Sequence, residues 1–228
     1  MEGNVAGLAA PFVDAAEEPA VRGFLHEPER AIANGGGAVA LTHGAGANCQ
    51  SKLLVGVAEA LAALGYTVLR FDLAFRQERR FGPPRPGSAE RDRDGIRRAI
   101  AVMREKVKGR VFAGGHSYGG RQATMLVAEE PQAADGLLVL SYPLHPPKKP
   151  EQLRTSHFPK MKKPALFVHG TNDPFGTIAE MQAALKLIPA AHELMEVEGA
   201  GHDLLGKKAG GEWAARIAKE FSAFSHKL

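Results

Sequence analysis

The sequence holds a single cysteine, Cys49, so no disulfide forms within the chain and no C-x-x-C redox or zinc pair can be built. No window approaches the ~20 apolar residues that a membrane-spanning helix needs, and no membrane partner is expected. The first residues carry Glu2, Asp14, Glu17 and Glu18 with no basic lead into an apolar stretch. A secretory signal is therefore not expected, and a cytoplasmic location is. Repeats and low-complexity linkers are missing too, so residues 1–228 read as one domain.

What is present fits a soluble globular protein. A chain of 228 residues with 44% apolar and 24% charged side chains buries a substantial core without metals or disulfides. Its 26 glycines and 15 prolines exceed average usage and point to many sharp connections between short elements. The net charge of +4 is uneven: Arg70 to Arg110 holds 13 Lys/Arg against 6 Asp/Glu, and His145 to Lys163 holds six bases against Glu151. Such runs are most simply solvated faces, although they also steer anions.

Apolar runs rich in β-branched residues recur, each closed by a glycine or a turn: Ala38–Leu41, Thr67–Phe71, Val111–Ala113, Leu137–Leu140, Ala165–Val168 and Glu193–Val197. Several are nearly continuous in apolar residues, as strands buried on both faces of a parallel sheet are. Between them, Lys52–Leu64, Arg91–Val107, Arg121–Glu130, Ile178–Leu187 and Glu212–Phe224 repeat apolar residues at helical spacing. Strands alternating with helices predict βαβ units. Val21–Leu25 is expected to add an N-terminal edge strand, with a turn, within residues 20–36. Pro143 to Pro164 contains six prolines and reads as a short flap over residues 143–164.

The strongest local signal is Gly115-His116-Ser117-Tyr118-Gly119, set between a predicted strand and a predicted helix. This is G-x-S-x-G in the context that exposes a serine Oγ above a sheet. A serine hydroxyl is a poor nucleophile without a base. His202, in Gly199-Ala200-Gly201-His202-Asp203, follows the last strand in a loop of small residues able to reach over the sheet. The third partner is a carboxylate at a strand exit, and Asp173 in His169-Gly170-Thr171-Asn172-Asp173-Pro174 fits best. Asp203 would have to curl back onto its neighbour, and Asp72 follows an earlier strand. An oxyanion hole needs the N–H of the residue after the nucleophile, Tyr118, and one from an early strand-end loop. In Leu41-Thr42-His43-Gly44-Ala45-Gly46-Ala47 the candidate donor is Ala45. His43, His116 and His169 share the sheet's C-terminal edge, but no carboxylate joins them at ligand spacing, so no metal site is expected. Phe75-Arg76-Gln77-Glu78-Arg79-Arg80-Phe81 interleaves aromatics with arginines. It reads as a loop framing the pocket or facing water, and no nucleic acid partner is expected.

Over about Gly37 to Phe224 the chain resembles the α/β-hydrolase superfamily. His43-Gly44-Ala45-Gly46, Arg70-Phe71-Asp72, Gly82-Pro83-Pro84-Arg85-Pro86, the Ser117 pentapeptide with Gly120-Arg121, and His169–Asp173 are similar to a compact, capless group. That group is related to dienelactone-hydrolase-like proteins and to the hydrolase-like domain of NSL-complex subunit three. The resemblance implies a mostly parallel, doubly wound sheet without a substantial cap. It also implies Ser117 as nucleophile, Asp173 as acid, His202 as base and an acyl-enzyme route, and no residue pattern in the sequence calls for a cofactor. Dienelactone hydrolases proper carry cysteine where this chain has Ser117, so a dienelactone substrate is not implied. The expected activity is that of a carboxylesterase-like serine hydrolase on small or accessible acyl esters. The basic Arg76–Arg85 loop and Lys148–Lys163 segment both leave C-terminal strand ends, where they can ring the pocket mouth. Anionic ester or thioester substrates are therefore expected, with His43, Gly44, Arg76 and His145 at the substrate. The same triad serves thioesterases and peptidases, and some members of the group are thought to be interaction domains, so a binding module is the reading from another class.

Overall fold

A computed structural model describes residues 9–28, 37–205 and 212–228. Eight strands form one sheet: β1 (Ala10–Asp14), β2 (Val21–His26), β3 (Ala38–Thr42), β4 (Thr67–Phe71), β5 (Val111–His116), β6 (Gly136–Leu140), β7 (Ala165–Gly170) and β8 (His192–Val197). Their spatial order is β1-β2-β4-β3-β5-β6-β7-β8. The pairs β1–β2 and β2–β4 are antiparallel and the rest are parallel. Val21–Leu25 is thus a strand but not an edge, because β1 pairs along its outer side. Residues 29–36 of the expected turn lie outside the described residues.

The period-two geometry of a strand explains how the core divides. In β3, Ala38 and Ala40 face one side while Val39 and Leu41 face the other, and all four are buried. The first side packs on α3 (Ala89–Lys106), α4 (Tyr118–Glu129) and α5 (Ile178–Leu185), through residues such as Ile96, Met103, Leu126 and Met181. The second packs on α1 (Lys52–Ala63) and α6 (Glu212–His226), through Leu54, Leu61, Ile217 and Phe221. Both faces being covered is why the parallel strands read as unbroken apolar runs. Ser51 caps α1 by accepting from the Leu54 N–H, and a Thr177/Glu180 capping box starts α5.

Two segments differ from the sequence reading. Phe75–Glu78 belongs to a short helix, α2 (Ala74–Glu78), rather than to a loop. Its two turns at most are too brief to show helical periodicity. The 143–164 segment is pinned to the body more than a flap would be: Leu144, Phe158 and Met161 are fully buried among Tyr142, Phe167 and Met181. A single 3-10 turn, Phe158–Lys160, is its regular structure, and residues 147–153 form its exposed stretch.

Burial also sets the protonation of three histidines. His26, on β2, accepts a hydrogen bond from Arg70 Nε at 2.8 Å, and burial with that cation lowers its pKa to about 4. Burial likewise brings His116, at the end of β5, to about 4. His157 Nε2 lies 2.9 Å from the Thr124 hydroxyl, and burial with the Arg121 charge lowers it to about 4. Unfolding releases each to an ordinary value of 6.5, so between pH 6.5 and about 4 the unfolded chain binds protons that the fold refuses. Stability from these groups is complete above pH 6.5 and is lost as the pH falls toward 4. Urea unfolding between pH 7.5 and 4.5 should show a loss of at least about 2 kcal/mol; a flat profile would contradict the buried neutral histidines.

Candidate active site

Ser117 stands between β5 and α4 with φ +52° and ψ −116°, a conformation costing roughly 1–3 kcal/mol for a residue with a side chain. Its N–H donates to the Leu140 carbonyl at 2.8 Å, which ties the turn to β6. The neighbouring glycines are required by close approach: a Cβ on Gly115 would lie 2.2 Å from the Thr42 carbonyl oxygen. One on Gly119 would lie 2.6 Å from that of His43. The serine therefore stands on a turn pressed against the end of β3.

His202 Nε2 lies 2.8 Å from Ser117 Oγ, and His202 Nδ1 lies 2.8 Å from Asp173 Oδ2. The Asp173 side chain is fully buried, and its Oδ1 accepts the Phe175 N–H at 2.9 Å. A carboxylate accepts only, so Nδ1 carries the proton and Nε2 is left to accept from the serine hydroxyl. His202 is held from two further sides. His116 Nε2–H donates to its carbonyl at 2.7 Å, and the Phe175 ring lies on its imidazole with centroids 4.2 Å apart. Its side chain remains 22% exposed, so the imidazole is reachable from outside. The competing acids are engaged elsewhere. Asp203 accepts the Leu205 N–H, while Asp72 accepts that of Cys49 and lies 3.4 Å from His43 Nε2.

Gly44 lies against the serine, since a Cβ added to it would be 3.3 Å from Ser117 Cβ. Ala45 is next in that loop. Tyr118 begins α4, where helical N–H groups have no intrahelical acceptor. Its hydroxyl donates to Asp92 Oδ2 at 2.8 Å, and burial raises the proton affinity of both groups.

Three side chains expected at the substrate have other partners. His43 is fully buried: its Nδ1–H donates to the Gly44 carbonyl at 2.9 Å, and its Nε2 accepts the Leu73 N–H at 3.1 Å. Burial lowers its pKa and keeps it neutral. Arg76 is buried, and its guanidinium donates to the carbonyls of Ala45, Ala47, Arg79 and Gly82. His145 is buried with Nδ1–H on the Pro146 carbonyl at 2.8 Å and Nε2 3.4 Å from Glu180 Oε2. All three order the loops around the serine instead of presenting free polar groups. His43, His116 and His169 each donate to a backbone carbonyl. Among the described residues no three His, Cys, Asp or Glu side chains are grouped to hold a metal ion.

The sequence reading passed over three contributors. Phe175 both stacks on His202 and binds Asp173; the Asp173-Pro174 turn that places it was visible. His169 backs Asp173 at 3.7 Å while its Nε2–H holds the Gly176 carbonyl. Asp92 lies within the helical pattern of α3, and nothing in that pattern marks it as buried.

The family model for an alpha/beta hydrolase domain matches residues 36–227. Among solved structures, a dienelactone hydrolase from Anabaena variabilis superposes with a TM-score of 0.73 at 21% identity, over 98% of this chain and 99% of that one. Est1E from Butyrivibrio proteoclasticus gives 0.72 at 18% identity, over 96% and 99%. XC6422 from Xanthomonas campestris, described as a serine hydrolase without a lid, gives 0.66 at 15%, over 96% and 92%. With its mostly parallel sheet, its flanking helices and a family match spanning most of its length, the chain belongs to the α/β hydrolases.

Proposed function

We propose that this α/β hydrolase is a carboxylesterase-like serine hydrolase acting on small, accessible acyl esters. One observation carries the reading: an unbroken hydrogen-bond relay of 2.8 Å and 2.8 Å runs from the buried Asp173 through His202 to Ser117. Ser117 Oγ attacks the ester carbonyl carbon while His202 Nε2 takes its proton, and Asp173 stabilises the imidazolium that results. The carbonyl oxygen becomes an oxyanion received by the Tyr118 and Ala45 N–H groups. His202 then returns the proton to the departing alcohol, leaving an acyl-enzyme on Ser117. Water, giving its proton to His202, attacks that ester, and His202 returns the proton to Ser117 Oγ as the acid leaves. The names of fold neighbours lie in the same class, including an esterase from Pyrococcus furiosus.

The preference for anionic substrates finds support in the arginines around α4. Arg121 lies one turn from Ser117, and its buried Nε has no partner among the described residues. Burial, with the Arg121 charge nearby, lowers the proton affinity of both Arg154 and His157, so three cationic or protonatable groups gather on this side of the helix. Neither arginine forms a salt bridge among the described residues.

Steady-state hydrolysis of p-nitrophenyl acetate and butyrate tests the reading. Ser117→Ala and His202→Ala should each lower kcat by roughly 10³-fold or more, and Asp173→Asn should approach them because it supports the wrong imidazole tautomer. Ser117→Ala turning over at the wild-type rate would sink the mechanism. For charge, raising ionic strength from 20 to 300 mM should depress kcat/KM for a hemisuccinate ester more than for a neutral ester. Equal responses would remove the anionic preference and leave the chemistry standing.

A further inference from the structure

We propose that Arg76 is a positioning residue that holds in place the loop carrying the Ala45 N–H, an inference resting on the oxyanion role assigned to that N–H above. The loop it would control has little means of ordering itself. Gly44-Ala45-Gly46-Ala47 carries no side chain larger than methyl, and a Cβ on Gly46 would meet nothing within 4 Å among the described residues. Backbone groups must therefore hold it. In a trans peptide the C=O and N–H point in opposite directions. The Gly44 carbonyl is drawn one way by the Ala47 N–H at 3.1 Å and His43 Nδ1–H at 2.9 Å, so the Ala45 N–H is turned the other way.

The following peptide is fixed by Arg76. Nη2 donates to the Ala45 carbonyl at 2.9 Å and Nε to the Ala47 carbonyl at 2.8 Å. The far side of the same guanidinium donates to the Arg79 and Gly82 carbonyls at 3.0 and 2.9 Å. The planar fork has fixed donor directions, so four carbonyls from two loops are registered by one rigid group. α2 is itself anchored next to the other proposed donor: the Phe75 N–H binds Asp92, which also takes the Tyr118 hydroxyl. One short helix thus braces both residues proposed as donors to the developing charge. Arg76 touches no substrate and acts through the loop.

The test compares Arg76→Met and Arg76→Lys with wild type on a neutral ester, adding an alkyl boronic acid as tetrahedral analogue. In Arg76→Met kcat should fall roughly 30- to 100-fold with KM within about threefold, since the loss falls on the transition state. Arg76→Lys keeps the charge without the fork and should lose about tenfold. Boronate affinity should fall with kcat/KM, and the Ala45 and Ala47 amide resonances should move. The low-field His202 Nδ1 proton should not. Arg76→Lys answers the question even if Arg76→Met does not fold. A folded variant with kcat within twofold of wild type overturns the proposal. So does an equal loss in all kinetic terms accompanied by loss of the His202 line, which would mark general unfolding of the site. Wild-type protein without Ser117-dependent hydrolysis would instead reject the underlying esterase reading, a distinguishable result.

Discussion

The contact between Ser117 and His202 depends on the backbone of Ser117 being held at φ +52° between β5 and α4. The residue would leave that conformation unless its surroundings forbade alternatives. They do so by contact: Gly115 and Gly119 let the turn sit against Thr42 and His43, and the Leu140 carbonyl holds the Ser117 N–H. Because β3, β5, β6, β7 and β8 run parallel, their C-terminal ends lie on one edge. That edge receives Gly44 after β3, Ser117 after β5, Asp173 after β7 and His202 after β8. Sheet topology, not local sequence proximity, assembles residues as far apart as Ser117 and His202.

The electrostatics around this edge are arranged by burial. Asp173 loses solvent but gains the Phe175 N–H and His202 Nδ1–H, so both carboxylate oxygens have donors. His43, His116 and His169 are depressed in pKa by desolvation, and each donates one N–H to a carbonyl. Kept neutral, they order loops without adding positive charge beside His202, which has to accept a proton in the proposed reaction. In the proposed reaction histidine thus has two kinds of role, and environment separates them.

The fold was largely legible because strands buried on both faces leave apolar runs closed by a glycine or a turn, as in β3 to β7. β1 was not, since Ala10–Asp14 is half exposed, antiparallel and covered on one side. α2 was hidden by its five-residue length. At the site, Ser117, Asp173 and His202 were legible from strand-end position and chain order, and the structure brings them within hydrogen-bond distance. The surrounding shell was not. Arg76 and His43 bind backbone carbonyls and amides, groups that every residue carries, so no residue pattern marks their partners. Charge and location alone made both look like substrate contacts, whereas burial and hydrogen bonding turn them toward the protein.

The central claim is that Ser117 is an activated nucleophile. Exposure of the folded protein to a fluorophosphonate, followed by mass mapping of the modified peptide, tests it without assuming a substrate. The account predicts one adduct, on Ser117, absent from Ser117→Ala and slower to form in His202→Ala. A folded protein that stays unlabelled, or that is labelled at another residue, would contradict it.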